Sequence, residues 1–345
     1  MAEKKQTSHI IGKRIPLVDA LKKTTGEGFY TDDIKLPGML VGKILRSPYS
    51  HARIQKIDTT EAESVPGVHA VITGDEPGAQ NRFGVLPISK DEISMPKPAA
   101  PGREGKVLYV GDCVAAVAAD DEEIARKALQ LIKVECQKLN AILRTDNGLQ
   151  KTNEPLQDQT KDGTNIQKSV EQHFGNVPEK IKNSKYVQTK DFEFVGLNHA
   201  FTEPIATIAH YAADERLTVW SAQQVPHYLH RALAEVMAMP MHRIRVIRPM
   251  VGGGFGGKSD PFPHEMIAAM LSRKCRRPVK ILFDREEVFY NNHGRHPTKT
   301  HISLAADEKG KITALDLDAT IDGGAWGSFG VVTTYYNGVL AMGPY

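Results

Sequence analysis

The stretch that most restricts the fold is Val251-Gly-Gly-Gly-Phe-Gly-Gly-Lys258, with glycine at five of the six positions from 252 to 257. Glycine inside a helix or strand costs roughly 0.5–1 kcal/mol relative to alanine, so such a run ends any regular element. A loop therefore falls here, between an apolar strand at Arg243 to Ile247 and a helix at His264 to Arg273. Backbone N–H groups without side chains around them let a flat or anionic ligand lie against the chain. Phe255 is the one bulky side chain in the run and must take up a defined position.

Three readings share this loop. Gly252, Gly257, Lys258 and Ser259 fit the phosphate-loop pattern, and Gly252, Gly254 and Gly257 fit the dinucleotide pattern. Val279 to Asp284 even resembles an apolar strand ending in a magnesium-binding aspartate. Against a phosphate site, Pro261 and Pro263 remove amide donors at the start of the following helix. The third reading is close backbone packing with no ligand. A run this rich in glycine matches almost any glycine pattern, so the pattern alone does not choose.

The rest of the composition excludes several classes. The chain has 345 residues, and 44 Lys plus Arg against 41 Asp plus Glu leave a net charge of +3, too little to mark a nucleic-acid binder. Hydrophobic residues make up 41%, enough for buried cores. No apolar stretch is long enough to span a membrane, and the N-terminus lacks the apolar region of a secretory signal. Cys113, Cys136 and Cys275 are far apart and form no C-x-x-C pair. They predict no disulfide framework, zinc ribbon or iron–sulfur cluster within this chain, and a cytoplasmic location.

Periodicity predicts an α+β chain. A first unit covers 1–145, with its core at about 24–140; a polar linker covers 146–170; a second unit covers 171–345. In the first unit, strands are expected at Met39 to Arg46 and Val68 to Thr73. Lys106 to Val110 and Val114 to Ala119 read as a strand pair turning at Gly111-Asp112. Glu122 to Ile132 has helical spacing, capped by Asp120 or Asp121, and Lys133 to Cys136 returns to a strand. In the second unit, Tyr186 to Phe194 alternates like a half-buried strand. Ala206 to Tyr211, Leu217 to Ser221 and Val279 to Phe283 are further strands, and Pro226 to Met239 is a helix. Thr300 to Ala305 and Ile312 to Thr320 form a hairpin.

Set in order, the motifs resemble one family. They are Thr25-Gly-Glu-Gly-Phe-Tyr-Thr-Asp-Asp-Ile34, Arg46-Ser-Pro-Tyr-Ser-His-Ala-Arg-Ile54 and Val110-Gly-Asp-Cys-Val-Ala-Ala-Val-Ala-Ala119, then Asn198-His-Ala-Phe-Thr-Glu-Pro204, Trp220-Ser-Ala-Gln223 and the glycine loop. Together they resemble the molybdenum-cofactor-binding large subunit of the xanthine oxidase/aldehyde oxidase family. Within it, Phe83-Gly-Val-Leu-Pro-Ile88 and Gly323-Gly-Ala-Trp-Gly-Ser-Phe-Gly-Val-Val332 are most similar to 4-hydroxybenzoyl-CoA reductases.

The resemblance implies an α/β-hammerhead domain followed by the first part of a molybdopterin-binding domain. It implies a molybdopterin-type cofactor in the cytosine dinucleotide form, with iron–sulfur clusters and FAD on partner subunits. The substrate would be a small aromatic, such as an aromatic acyl-CoA, with an aldehyde or N-heterocycle as the alternative. Gln223 matches the glutamine whose amide hydrogen-bonds an oxo ligand of molybdenum, and Phe255 matches the loop residue beside the metal. Neither is a direct metal ligand; Gly253, Gly254 and Gly256 keep the approach open. Should the register differ by one residue, Gln224 takes the place of Gln223.

The departures carry expectations too. Where xanthine-oxidising members have a glutamate after the loop lysine, this chain has Ser259, which argues against a purine. No acidic residue here matches the family's catalytic glutamate, so no catalytic residue is assigned. The resemblance implies a missing C-terminal half, or an equivalent chain, and hence a hetero-oligomer with no turnover in this chain alone. His227 and His230, three apart on a helix, read as a solvated or packed pair. Two readings of other classes remain: a P-loop nucleotide-binding protein using Lys258, and a non-catalytic assembly module.

Overall fold

The computed structural model describes residues 10–100, 105–152, 155–157 and 163–341. The extreme termini and part of the expected linker fall outside them. The strands are β1 (Leu40–Arg46), β2 (Ala52–Asp58), β3 (Val68–Thr73), β4 (Lys106–Val107), β5 (Cys113–Ala119), β6 (Lys133–Lys138), β7 (Tyr186–Phe194), β8 (Ala206–Tyr211), β9 (Leu217–Ser221), β10 (Ile244–Ile247), β11 (Val279–Leu282), β12 (Thr298–Ala306) and β13 (Ile312–Ile321).

The central sheet has seven strands in the order β10-β9-β8-β11-β1-β5-β3. It draws β1, β3 and β5 from before residue 145 and the other four from after residue 171. The join is the parallel pairing of β1 with β11, Leu40 opposite Val279. β5, Cys-Val-Ala-Ala-Val-Ala-Ala, is buried along its whole length. Its side chains alternate between two cores: Ala116 and Ala118 face one, and Ala115, Val117 and Ala119 face the other. Small residues fit because a helix lies on each side. One is Glu122–Leu131, whose cap Asp121 accepts from the Ile124 amide at 2.8 Å. The other is Pro263–Cys275, of whose 13 residues the ten from Pro263 to Ser272 are buried. A helix buried on nearly every side belongs at the centre of a fold.

Two expectations of local pairing fail. β4 and β5 are not a pair: β4 joins β2 and β6 in a separate sheet, while β5 lies between β1 and β3. The turn between them exists, but buried Asp112 redirects the chain, its carboxylate accepting from the Leu108 and Cys113 amides at 2.9 Å. β7 is a strand, but every one of its residues is exposed rather than half-buried. It forms the edge of the third sheet, β13-β12-β7. The hairpin of β12 and β13 forms as expected, with Asp307 taking the Lys309 and Lys311 amides at its turn. No helix among the described residues is long and apolar enough to cross a membrane.

Candidate functional site

β9 and β10 run parallel as neighbours, so their C-terminal ends open on the same edge of the sheet. Crevices at the carboxyl ends of parallel strands are where open α/β sheets hold ligands. Gln223 and Gln224 follow β9, and the glycine loop follows β10, so topology brings these two sequence motifs together. The Gln224 amide donates to the Lys258 carbonyl at 2.7 Å, stitching one to the other.

The loop is held by its flanks. Gln224 Oε1 accepts from the amides of Gly256 at 3.0 Å and Lys258 at 3.3 Å. A Cβ on Gly254 would collide with that same oxygen, so glycine there is a packing requirement. At the loop's start, Glu203 Oε2 accepts from the Gly252 amide at 2.7 Å and from Lys258 Nζ at 2.7 Å. Lys258 Nζ also reaches the Glu203 carbonyl and lies 4.4 Å from the centre of the Phe201 ring. Burial pushes this ammonium below its usual range, although Glu203 pulls it the other way. The side chains of Lys258 and Glu203 are 4% and 9% exposed. A phosphate-loop lysine must point out at its ligand; this one is turned inward and paired. That removes the P-loop reading.

What the clamps leave over is three consecutive amides. Those of Gly253, Gly254 and Phe255 have no hydrogen-bond partner among the described residues, whereas the N–H groups of Gly252 and of Gly256 to Ser259 all donate. Gly253 and Gly256 have φ of +97° and +96°, and Phe255 has +53°. This is the left-handed region that glycine enters without strain, and Phe255 enters it as a non-glycine residue. Phe255 lies against Gly253 and is 65% exposed.

Gln223 is 2% exposed, behind the loop's exit. Its Nε2 donates to the Asp260 carbonyl and, at 3.3 Å, to Glu265 Oε2. Its Oε1 is buried and unpartnered. Its NH₂ is turned toward Asp260 and Glu265, and its oxygen is the end left over. Glu265 also accepts from Ser221 Oγ at 2.6 Å and the Phe262 amide at 3.0 Å, and burial pushes its carboxyl up to about 7.

Asp260 has a second set of partners. His293 Nδ1 lies 2.6 Å from Asp260 Oδ2, and Ser328 Oγ donates to the same oxygen. Burial works against the imidazolium, but the Asp260 carboxylate outweighs it and holds His293 up at about 9. Buried Asp91 fastens the same segment by accepting from the Gly327 amide at 2.6 Å. Beside Gly257, His199 Nδ1 and both polar atoms of the Asn292 amide are buried without partners. His230 is packed, its Nε2 against the Met241 and Ile244 carbonyls, and no cluster that could hold a metal ion occurs among the described residues.

Sequence reasoning thus named Gln223 and the loop but missed Glu203, Glu265, Asp260 and His293. Only Glu203 carried a local signal, its place in the Asn198 to Pro204 motif; the other three act through contacts 33 to 68 residues apart in sequence. The unpaired amides of 253–255 and the orphaned Gln223 oxygen together fit a polar group bound against the loop.

Comparison with known proteins bears on what that group is. Residues 158–345 match the molybdopterin cofactor-binding domain, and residues 25–140 match the a/b hammerhead domain of aldehyde oxidase and xanthine dehydrogenase. The chain is 31% identical over 336 residues to the nicotinate dehydrogenase large molybdopterin subunit of Eubacterium barkeri, covering 97% of this chain and 76% of that protein. It is 31% identical over 327 residues to the nicotine 6-hydroxylase large subunit of Paenarthrobacter nicotinovorans, covering 93% of this chain but 39% of that one. It superposes on quinoline 2-oxidoreductase from Pseudomonas putida 86 with a TM-score of 0.80 at 31% identity, over 91% of this chain and 40% of that chain. The chain therefore spans well under half the length of the last two relatives.

Proposed function

The chain belongs to the aldehyde oxidase and xanthine dehydrogenase family, and on that premise we propose that it forms one side of the cofactor site of a molybdenum-dependent oxidoreductase. The observation that carries this is the row of unpaired amides at Gly253, Gly254 and Phe255, on a loop pinned by Gln224 and by the Lys258–Glu203 pair. A site built to present fixed N–H donors stabilises negative charge without reorganising. When bound, the molybdenum cofactor supplies two-electron redox chemistry at a substrate carbon. The protein's part here is to bind and orient. The amides of 253–255 would hold electron-rich atoms of the cofactor, the Gln223 amide would hydrogen-bond an oxygen on it, and Phe255 would shield the site from water.

The finer assignments belong to the same proposal: the cytosine dinucleotide form of the pterin, partner subunits carrying iron–sulfur clusters and FAD, and a cytoplasmic location. Two substrate classes stand. Reduction of an aromatic acyl-CoA such as 4-hydroxybenzoyl-CoA rests on the segments Phe83 to Ile88 and Gly323 to Val332. Hydroxylation of an N-heterocycle is favoured by the relatives, whose names include nicotinate dehydrogenase, nicotine 6-hydroxylase and quinoline 2-oxidoreductase. In either case Ser259 supplies no carboxylate for a purine, a difference worth about 1.5–3 kcal/mol per charged hydrogen bond. The test is metal analysis and dye-linked turnover of the protein co-purified with its partners. Stoichiometric molybdenum, with turnover of pyridine-type substrates above that of xanthine, is expected; a folded complex without molybdenum overturns the proposal and leaves an assembly module.

A further inference from the structure

We propose that Tyr30 is a positioning residue, whose ring ties the start of the glycine loop to the N-terminal Thr25 to Ile34 motif. The inference rests on the reading that the amides of 253–255 face the cofactor. Motif and loop are far apart in sequence but run side by side in the structure. Tyr30 and Met250 form a parallel bridge, and the Met250 amide donates to the Phe29 carbonyl at 3.1 Å. A Cβ on Gly28 would collide with Met250 Sδ, so glycine there lets the two segments approach. The motif is itself anchored on either side of Thr31, which is fully buried. Asp33 Oδ2 accepts from the Tyr30 amide at 2.9 Å, and Lys280 on β11 donates to the Asp32 carbonyl at 2.6 Å and to its carboxylate at 3.0 Å.

What Tyr30 touches gives it this task. A side-chain carbon added to Gly252 would lie 2.6 Å from Glu203 Cβ and 3.3 Å from Tyr30 Cε1. The ring and the Glu203 stem therefore meet over the bare face of Gly252. That stem must be held in place, because one carboxylate oxygen of Glu203 takes both the Gly252 amide and Lys258 Nζ, each at 2.7 Å. A glycine run has more backbone freedom than any other, and the three unpaired amides begin one residue later. Packing a ring against Gly252 limits that freedom without occupying any of the three donors. A ring carbon makes the contact, so the phenol oxygen is not required for it. The Glu203–Lys258 pair joins the loop's two ends to each other; Tyr30 joins the loop to a segment that β11 holds.

The experiment compares wild type, Tyr30→Phe, Tyr30→Ala and a stability control, each purified with its partner subunits. The control is Ile54→Ala, a fully buried position in the separate sheet of β2, β4 and β6. Thermal midpoint, molybdenum content of the folded protein and hydrogen exchange at the amides of 253–255 are read on each. Tyr30→Ala should lower molybdenum content several-fold and quicken exchange at those amides, and Tyr30→Phe should restore both to wild type. Ile54→Ala should lower the midpoint and leave the molybdenum content of the folded protein unchanged. A folded Tyr30→Ala protein with wild-type molybdenum content and exchange overturns the positioning role. So does a Tyr30→Phe protein that behaves like Tyr30→Ala, or an equal molybdenum loss in Ile54→Ala. If Tyr30→Ala fails to fold, the same readings on Tyr30→Leu decide in the same way. Absence of molybdenum from the wild type instead overturns the functional reading beneath it.

Discussion

Two of the buried ion pairs among the described residues are built differently. Arg46, on β1, donates through Nε to Glu287 Oε1 at 2.8 Å and through Nη1 to Asn291 Oδ1 at 2.7 Å and the Gly111 carbonyl at 3.2 Å. Its guanidinium lies 4.6 Å from the centre of the Phe283 ring. Lys258 likewise sits over a phenylalanine ring, but its ammonium has one residue for a partner, Glu203. The Arg46 pair spans 241 residues of sequence and joins the stretch before residue 145 to the stretch after 171. The Lys258 pair ties the start of a single loop to its end. A planar, always-charged fork suits the first task, because it serves several acceptors at once. A point charge suits the second, where one carboxylate must hold two limbs.

The largest expected effect is at the joint. Arg46→Ala leaves Glu287 charged and buried, and removes the donor from Asn291. Breaking a buried pair from one side costs about 3–5 kcal/mol. Urea unfolding should show that loss with an unchanged slope; a loss below about 1 kcal/mol, the range of an exposed pair, would mean that the shared sheet and core hold the joint without this pair.

Lys258→Met should cost less, about 2–3 kcal/mol, because Glu203 keeps the Gly252 amide as a partner. The double variant Lys258→Met with Glu203→Leu should recover part of it, since no buried charge is stranded. Function should follow the opposite order. Losing the loop's brace should lower molybdenum retention in the complex more than Arg46→Ala does in whatever fraction stays folded. Equal retention in both would erase the contrast between a joint and a brace.

Alkali separates the two regions further. The Arg46 guanidinium does not titrate in the accessible range. Near the loop, His293 is held up at about 9 from 6.5. A raised histidine stabilises the fold fully below its unfolded value, and this contribution is lost as pH rises through 6.5 to 9. With 28% of its side chain exposed, about 2 kcal/mol is a fair size. Glu265 acts in the same direction at lower pH: an acid raised from 4.5 to about 7 makes stability fall as pH climbs between those values. Hydrogen exchange between about pH 7 and 9.5, corrected for its intrinsic rate, should therefore quicken at Gly256 to Ser259 before it quickens along β5. His293→Gln should abolish that difference. Uniform loosening would place the pair outside the loop's support.

Much of this was legible where the physics is local. Asp121 caps its helix, the glycine run makes its loop, and the turn at Asp307 closes its hairpin, each from residues a few positions apart. Pairing was less legible, because β5 chose β1 and β3 over the neighbouring β4 by burial on two faces, which no short window contains. The site was half legible. Gln223 and the loop were found by motif, but Lys258 reads the same in sequence whether it faces a phosphate or Glu203. Likewise the partners that bury Gln223, Asp260 and Glu265, lie 37 and 42 residues away.

β7 supplies the smallest expected effect and the control for the rest. Its alternation suggests a buried face, yet Tyr186, Phe192 and Phe194 are 58%, 55% and 41% exposed. Were Phe192 half-buried against a core, its replacement by serine would cost several kcal/mol, as large-to-small changes in cores do. At an exposed position the cavity vanishes from the account and only a weak cross-strand contact with Thr300 is lost, so the change should stay within about 0.5 kcal/mol. The measurement is the urea midpoint of the chain purified with its partners and of the chain alone. A small effect in the chain alone, but a large one in the complex, would show that this face is covered on assembly. A large effect in both would mean that β7 packs against this chain itself, contrary to its exposure.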